Sequence, residues 1–230
     1  MARAAAAVLG ALRAAEARAG RPAGCVRLVA VTKTVSAEHV ADAWRAGLHT
    51  FGESYVQEAL GKIDRLPPEA EWHFIGHLQS NKARQAVEVF SMIQSVDRAS
   101  LADALEREAS RRGIRVDVLL QVKVGDEVTK SGASFDGAVA LVRRAPEWPS
   151  LRIRGLMAIP PFTEDPEQAR PHFRAVRVLR DRIAALGLPE VEMGELSLGM
   201  SADYEVAVEE GATLVRVGSA LFGDRPARDA

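Results

Sequence analysis

The residue whose type and position most clearly suggest reactivity is Lys33, which ends the apolar run Val29-Ala30-Val31-Thr32. Strand alternation places Lys33 on the same face as Val29 and Val31. An amine in a partly dehydrated site has a lowered pKa and becomes a nucleophile for an aldehyde. A strand-end lysine can also simply extend its ammonium into solvent. The sequence has only five lysines among 30 basic residues, so each one in an apolar context is a candidate.

Two glycine- and serine-containing segments near the end of the chain favour anion binding. Ser201 follows Gly199, and Ser219 follows Gly218, each just after an apolar run. Glycine lets the backbone approach an anion closely, and serine adds a hydroxyl donor. The alternative is that each serine caps a helix and each glycine only makes a turn. We expect Ser201 or Ala202 to open the helix that follows.

Arg216 alternates with Leu214 and Gly218 along one run. If Gly218 faces a phosphate, Arg216 points one step deeper between the strands. A phosphate site opposite a nucleophilic lysine predicts a phosphorylated aldehyde, and pyridoxal phosphate fits both ends. An arginine at its pyridine nitrogen would keep the ring unprotonated and make it a weak electron sink. The alternative for Arg216 is a buried ion pair with a carboxylate.

Other residues are secondary candidates. Lys123 shares a strand face with Gln121 and is a rival for Lys33. His73 and His77 lie on one face without a third ligand, so we expect hydrogen-bonded histidines rather than a metal site. Met157 is either filling between the strands or a contact for a ring. The secondary cofactor contacts that we predict are Met200, Ser54, His73 and Met157.

The elements that must position these residues alternate between short strand-like runs and amphipathic helical stretches, preceded by an Ala-rich helix. The strand candidates are Val26–Thr32, Thr50–Gly52, Glu71–Gly76, Met92–Val96, Val116–Val124, Ile153–Ile159, Glu195–Gly199 and Thr213–Gly218. Eight such units without a linker predict a single domain over residues 1–230, an α/β fold of the (β/α)8 TIM-barrel type with an extra N-terminal helix. A doubly wound open sheet is the alternative, but no glycine-rich phosphate turn follows the first strand. In a barrel, most of the candidate residues lie at the carboxyl ends of strands, where the loops converge on the mouth: Lys33, Ser54, Met157, Met200, Ser201 and the segment Arg216–Ser219.

Composition excludes several classes of protein. The formal net charge is −1 with acidic and basic residues interspersed, so nucleic acid is not an expected partner. Charged residues interrupt the N-terminal stretch too often for a signal or a membrane span. The lone Cys25 cannot form an internal disulfide. We expect a cytoplasmic protein, and a monomer because a closed barrel leaves no sheet edge to bury.

Several motifs closely resemble those of the pyridoxal phosphate homeostasis protein family, in order from about Leu28 to Gly223. The matching stretches are Ala30-Val-Thr-Lys33-Thr, Phe51-Gly-Glu-Ser-Tyr-Val-Gln-Glu58, Trp72-His-Phe-Ile-Gly76 with Leu78-Gln-Ser-Asn-Lys82, Lys130-Ser-Gly132, Arg154-Gly-Leu-Met-Ala-Ile159, Leu196-Ser-Leu-Gly-Met-Ser201 and Val215-Arg-Val-Gly218 with Phe222-Gly223.

The resemblance implies a fold like the N-terminal barrel of alanine racemase, with Lys33 as the Schiff-base lysine. It also implies Ser201, Gly218 and Ser219 at the phosphate and Arg216 toward the pyridine nitrogen. Members are regarded as carriers or regulators of pyridoxal phosphate supply, with apo-enzymes that use the cofactor as possible recipients. The sequence ends seven residues after Gly223. We therefore expect no second domain to supply the second base of a racemase, and no turnover.

Two departures from the family pattern alter the surroundings of the predicted ring. Ser54 stands where the family usually has Asn, and Lys123 stands where Asn is common after Gln-Val. Lys123 could therefore compete for the aldehyde. The alternatives to a carrier are an amino-acid racemase or decarboxylase that uses the same cofactor, and a barrel that binds another phosphorylated metabolite.

Overall fold

Eight parallel strands form a closed barrel in the computed structural model, which describes residues 1–125 and 131–223. Each strand pairs with the next in chain order, and the last pairs with the first. The strands are β1 (Arg27–Val31), β2 (Thr50–Glu53), β3 (Glu71–Phe74), β4 (Met92–Val96), β5 (Val116–Val122), β6 (Leu151–Ala158), β7 (Val191–Ser197) and β8 (Leu214–Val217). The predicted (β/α)8 barrel is confirmed, and the open-sheet alternative is wrong.

Helices surround the barrel and cover its outer face. They are α1 (Ala2–Arg18), α2 (Ala37–Arg45), α3 (Val56–Ile63), α4 (Ala83–Val89), α5 (Ala99–Arg112), α6 (Phe135–Arg143), α7 (Arg170–Ala184), α8 (Tyr204–Glu209) and α9 (Ser219–Phe222). Helix α1 is the predicted extra N-terminal helix. Within the described ranges, no helix has the length and apolar character needed to span a bilayer.

Two strands begin earlier than the sequence predicts. Strand β6 starts at Leu151 rather than Ile153, and β7 starts at Val191 rather than Glu195. Charged side chains at these ends hide the strand pattern in the sequence. Arg152 donates to Asp117 at 2.6 Å, and Arg154 donates to Glu192 at 2.6 Å. Ion pairing between neighbouring strands replaces the apolar alternation that marks a strand in a sequence.

Glu16 fixes α1 against the start of β1. Its side chain is fully buried, and its carboxylate accepts hydrogen bonds from the backbone N–H groups of Gly24 (2.9 Å) and Val26 (2.8 Å). Arg13 supplies the countercharge at 2.8 Å. The carboxylate therefore satisfies amides at the point where the chain turns into the barrel.

The interior of the barrel is filled by two layers of side chains. The first is apolar and consists of Val29, Met92, Leu119, Met157 and Leu214. The second is polar and buried, and consists of His73, Gln94, Ser197 and Arg216. Layers contributed by alternating strand positions are the usual filling of such a barrel.

The polar layer is one continuous hydrogen-bonded chain across the barrel. Arg216 donates to the Ser197 hydroxyl at 2.6 Å, and that hydroxyl donates to Gln94 Oε1 at 2.6 Å. Gln94 Nε2 in turn donates to His73 Nδ1 at 2.9 Å. Because every donor points toward His73, Nδ1 of the histidine must be unprotonated to accept the last bond. The imidazole is therefore neutral. Burial and then the charge of Arg27 lower the pKa of His73 to about 3.

The neutral state of His73 makes stability depend on pH. The unfolded chain binds a proton on this histidine near its ordinary pKa of about 6.5, whereas the folded protein resists it down to about 3. The stability that the protein gains from a neutral His73 is therefore fully present above pH 6.5. It is lost progressively as the pH falls from about 6.5 toward about 3. We expect the free energy of unfolding to fall by about 2 kcal/mol from this site alone between pH 7 and pH 5. Chemical denaturation of the protein at the two pH values measures this change.

The comparison variant is His73→Asn, since the amide oxygen can replace Nδ1 as acceptor and does not titrate. Between pH 7 and pH 5, the free energy of unfolding of this variant should fall by about 2 kcal/mol less than that of the wild type. His39→Asn, at an exposed histidine, should behave like the wild type. Parallel behaviour of all three proteins would show that His73 does not titrate on unfolding.

Candidate functional site

Lys33 lies at the mouth of the barrel, two residues beyond the end of β1. Its half-buried side chain lines two cavities. One cavity, of about 630 Å³, extends from Lys33 to Gly218 and Ser219. The other, of about 380 Å³, extends to Gln121 and Lys123. Lys33 thus stands between the segment predicted to bind an anion and a second, polar pocket.

The segments after β7 and β8 meet at the Ser201 hydroxyl. The backbone N–H groups of Gly218 and Ala220 both point at Ser201 Oγ, at 3.2 and 3.4 Å. A hydroxyl that accepts two amides keeps its own proton to donate outward. The structure therefore brings together Ser201, Gly218 and Ser219. The Ser201 and Ser219 hydroxyls can donate outward, whereas the Gly218 N–H is bonded to Ser201 and would donate to a ligand only by exchanging that bond.

Gly199 and Gly218 are glycines for different structural reasons. Gly199 has φ of +84°, and a Cβ there would lie 2.8 Å from the Cα of Tyr204, so the fold itself requires glycine. Gly218 has a negative φ of −119°, and the nearest atom to a Cβ there would be the Val31 Cβ, at the ordinary contact distance of 3.5 Å. Packing within the chain leaves room at Gly218, as expected if the glycine serves close approach of a ligand to its N–H.

The helix after Ser201 begins at Tyr204, so the prediction that Ser201 or Ala202 opens it is wrong. Residues 201–203 form a turn instead, and the buried Asp203 accepts a hydrogen bond from the Met200 N–H at 2.6 Å. Burial raises the pKa of Asp203, with the Met200 amide and the charge of Arg216 acting against it. The carboxylate holds the turn, which leaves the Ser201 hydroxyl at the barrel mouth.

Arg216 is almost fully buried inside the barrel, with 3% of its surface exposed. Its guanidinium donates to the Ser197 carbonyl (2.7 Å), the Ser197 hydroxyl (2.6 Å) and the Ala158 carbonyl (2.8 Å). Burial lowers its pKa to about 10, and Asp203 opposes that shift. The group stays charged at neutral pH and is held by neutral oxygens, rather than by the carboxylate partner that the alternative prediction required.

The secondary candidates divide between the cavity and the interior. Ser54 lines the 380 Å³ cavity, and its N–H donates to Glu53 Oε2 at 3.2 Å. Met157 is fully buried in the apolar layer, and His73 is buried in the polar chain. These two positions correspond to barrel filling and to a hydrogen-bonded histidine. Met200 is half-buried beside Ser201.

Lys123 lines the same cavity as Lys33, so the structure keeps it as a rival amine. Gln121 donates to the Ser131 carbonyl at 3.0 Å, and the Ser131 hydroxyl lies 3.2 Å from His77 Nδ1. Gln121, Ser131 and His77 all line this cavity. Lys130 of the Lys130-Ser-Gly132 motif lies outside the described residues. Within residues 1–125 and 131–223, no group of three His, Cys, Asp or Glu side chains is arranged to hold a metal.

Sequence reasoning missed two sets of residues. Gln94 and Ser197 hold Arg216 in place, but they are 103 positions apart in the chain. Glu53 and Lys62 form a buried ion pair next to Lys33. The scarcity of lysines and the spacing of Glu58 and Lys62, four residues apart on a helix, were signals that could have identified the second set.

Taken together, the mouth of the barrel offers an amine at Lys33, donors for an anion at Ser201 and Gly218, and a buried cation at Arg216. This donor set suits a phosphorylated aldehyde with an acceptor atom in its ring. These residues lie at the carboxyl ends of the barrel strands, which is where barrels of this fold place their functional residues.

Comparison with known proteins agrees with this description. The family described as Alanine racemase, N-terminal domain, matches residues 6–226. The pyridoxal phosphate homeostasis protein of Aquifex aeolicus (strain VF5) is 44% identical over 209 residues, which are 90% of this chain and 91% of that protein. That of Pseudomonas aeruginosa PAO1 is 45% identical over 215 residues, 93% of this chain and 91% of that protein.

A solved structure adds the fold. PipY of Synechococcus elongatus PCC7942, with PLP bound, superposes with a TM-score of 0.81 at 39% identity and covers 93% of this chain and 99% of that one. The resemblance read from the motifs is thereby confirmed over most of the chain. The chain belongs to the pyridoxal phosphate homeostasis protein family, within the wider family of the alanine racemase N-terminal domain.

Proposed function

We propose that this protein binds pyridoxal phosphate through a Schiff base on Lys33 and takes part in cofactor homeostasis by taking up and releasing it, without turnover of its own. The observation that carries the proposal is that Lys33 lines one cavity with Gly218 and Ser219. An amine and an anion site in one cavity match the two ends of this cofactor. The names of the relatives and the bound PLP in PipY support the same ligand.

Each part of the cofactor has a fitting partner among the described residues. The Lys33 amine condenses with the aldehyde and releases one water, and water reverses the reaction. The Ser201 hydroxyl and Ser219 would hold the phosphate, joined by the Gly218 N–H once it exchanges its bond to Ser201. Arg216, which has donors and no acceptor, would lie toward the ring nitrogen. Bound in this way, the cofactor supplies an electron sink that is weak because arginine does not protonate the ring.

Reversibility follows from the chemistry of the imine, which water hydrolyses, and the placement of the contacts keeps the exchange simple. The covalent bond forms at one residue of a turn, and the phosphate donors lie on two other segments. Uptake and release therefore need only condensation or hydrolysis at Lys33 and exchange of hydrogen bonds at Ser201 and Gly218. Apo-enzymes that need the cofactor are the proposed recipients. We also propose that the protein is cytoplasmic and monomeric.

One observation favours a second candidate function. Lys123 and His77 line the cavity that Lys33 also lines, so groups able to move a proton lie near the proposed cofactor. An amino-acid racemase or decarboxylase would use such groups. The two candidates differ in whether a bond to the α-carbon of an amino acid is broken.

The first prediction concerns the site of attachment. Protein loaded with pyridoxal phosphate, reduced with borohydride and digested, should carry the adduct on the peptide containing Lys33. Lys33→Ala should abolish both the adduct and the visible absorption of the complex. Lys123→Ala is the matched control at the other cavity lysine and should retain both. An adduct on Lys123 in the wild type would overturn the assignment.

The second prediction concerns the phosphate. Ser201→Ala should weaken pyridoxal phosphate about tenfold, because a hydrogen bond to a charged group contributes about 1.5–3 kcal/mol and a tenfold change is about 1.4 kcal/mol. Affinity for pyridoxal, which has the aldehyde but no phosphate, should not change. Spectroscopic titration with both compounds measures the difference. Ser134→Ala, which removes the cap of α6, is the control and should affect neither. Equal weakening of both compounds by Ser201→Ala would place Ser201 outside the phosphate site.

The third prediction separates carrier from enzyme. The loaded protein should reactivate an apo-enzyme that requires the cofactor, and should leave the α-hydrogens of a panel of amino acids unexchanged in deuterium oxide. Mass spectrometry of the amino acids gives the exchange. Rapid exchange that is lost in Lys33→Ala would favour the racemase or decarboxylase.

A further inference from the structure

A buried ion cluster lies behind Lys33, on the outer side of the barrel wall. Its centre is Lys62 on α3, whose ammonium contacts Glu53 Oε1 at 2.5 Å and Glu58 Oε2 at 3.4 Å. The Glu53 side chain is fully buried and that of Lys62 is 8% exposed. The Thr32 hydroxyl also donates to Glu53 Oε1, at 2.7 Å. Burial raises the pKa of Glu53, and the hydrogen bonds from Lys62 and Thr32 act against that.

The cluster holds both neighbours of Lys33 by their backbones. The Lys62 ammonium donates to the Thr32 carbonyl at 2.7 Å. The Glu58 carboxylate accepts the Thr34 N–H at 2.8 Å. The Thr32 carbonyl also accepts the Val35 N–H at 2.9 Å, which closes a four-residue turn with Lys33 as its second residue. The backbone on each side of Lys33 is therefore bonded to charged side chains of α3.

The turn needs such support because its third residue is unfavourable. Thr34 has φ of +65°, a conformation that a β-branched residue rarely adopts. Turns with positive φ at this position normally carry glycine or asparagine. Local strain of this kind persists only where the surroundings enforce it, and it is concentrated at functional sites. Here the enforcing contact is the bond from Thr34 to Glu58.

We propose that Lys62, Glu58 and Glu53 are positioning residues that hold the Thr32–Val35 turn so that the Lys33 amine meets the aldehyde of the cofactor. This inference rests on the proposed function and deepens it. The three residues act through the backbone of the turn and contact no cofactor atom themselves.

Stability alone gives a weak reason for such a cluster. Charges removed from water lose hydration, and replacing a buried ion pair by apolar residues is often neutral or stabilising. An ammonium and two carboxylates do supply what apolar residues cannot, namely an acceptor for the Thr34 N–H and a donor for the Thr32 carbonyl. Those two bonds are directed at the residues that flank Lys33.

The test compares two ligands that differ only at the reacting carbon. Pyridoxal phosphate has an aldehyde and bonds to Lys33, whereas pyridoxine phosphate has an alcohol and binds only through its ring and phosphate. Glu58→Ala removes the acceptor for Thr34 at a position with 31% exposure of the side chain, where folding should tolerate the change. It should slow formation of the pyridoxal phosphate adduct about tenfold, within the range of about a hundredfold that misplacement of a reacting group can cost. Its affinity for pyridoxine phosphate should equal that of the wild type.

Two further variants complete the series. Glu58→Gln keeps an acceptor oxygen and should restore most of the rate. The double variant Glu53→Gln with Lys62→Met removes the two most buried charges together and leaves only Glu58, whose side chain is 31% exposed, without its ammonium partner. It takes away the donor to the Thr32 carbonyl and should show the same selective loss as Glu58→Ala. Adduct formation is followed by stopped-flow absorbance and pyridoxine phosphate binding by calorimetry. The melting temperature of each cofactor-free variant confirms that it is folded.

The control is Glu210→Gln, at another buried carboxylate whose partners are Arg170, Arg174 and Arg177. It should alter the melting temperature and leave adduct formation unchanged. Equal loss of both ligands in Glu58→Ala, or no loss of either, would overturn the positioning role. An absence of any Lys33 adduct in the wild type would instead overturn the proposed function, so the two failures are distinguishable.

Discussion

Pairing of the first strand with the last is the constraint on which the site depends. In the register of β1 and β8, Val29 lies beside Arg216 and Ala30 beside Val217. The next residues along both strands are therefore carried to the same part of the rim, where Lys33 and Gly218 line one cavity. An open sheet with the same strands would leave β1 and β8 on separate edges. Closure of the barrel, rather than any local motif, brings the amine to the anion donors.

The cost of closure is that polar groups in the interior cannot reach water. Arg216 is charged and buried, so all of its partners must come from the barrel wall. Ser197 and Ala158 provide them, and Gln94 and His73 continue the chain to the opposite strands. Because each member has a hydrogen-bond partner within the barrel, the polar layer needs no ligand to satisfy its polar groups. The guanidinium of Arg216 has no acceptor, so it can only donate to a group placed next to it.

The sequence predicted the features that depend on local pattern and failed where distant residues meet. Period-two alternation, helical spacing and the position of Lys33 at a strand end are written within a few residues of one another. The Gln94–Ser197 bond joins residues 103 positions apart, which no local pattern encodes. The start of α8 at Tyr204 was missed because Asp203 bonds back to the Met200 N–H, and a serine two positions earlier imitates a cap. Glu53 lies within the Phe51–Glu58 motif, but its ion pair depends on Lys62 from the next helix.

Lys33 and Arg216 are held from opposite sides of the same wall. The Lys62 cluster fixes the turn of Lys33 from outside the barrel, and the Ser197–Gln94–His73 chain fixes Arg216 from inside. Neither support involves a group of the proposed cofactor, so neither has to form when it binds. Binding to a preorganised site costs little ordering of side chains. For the proposed carrier, release would leave both supports intact and would break only the covalent bond at Lys33 and the few hydrogen bonds to the ligand.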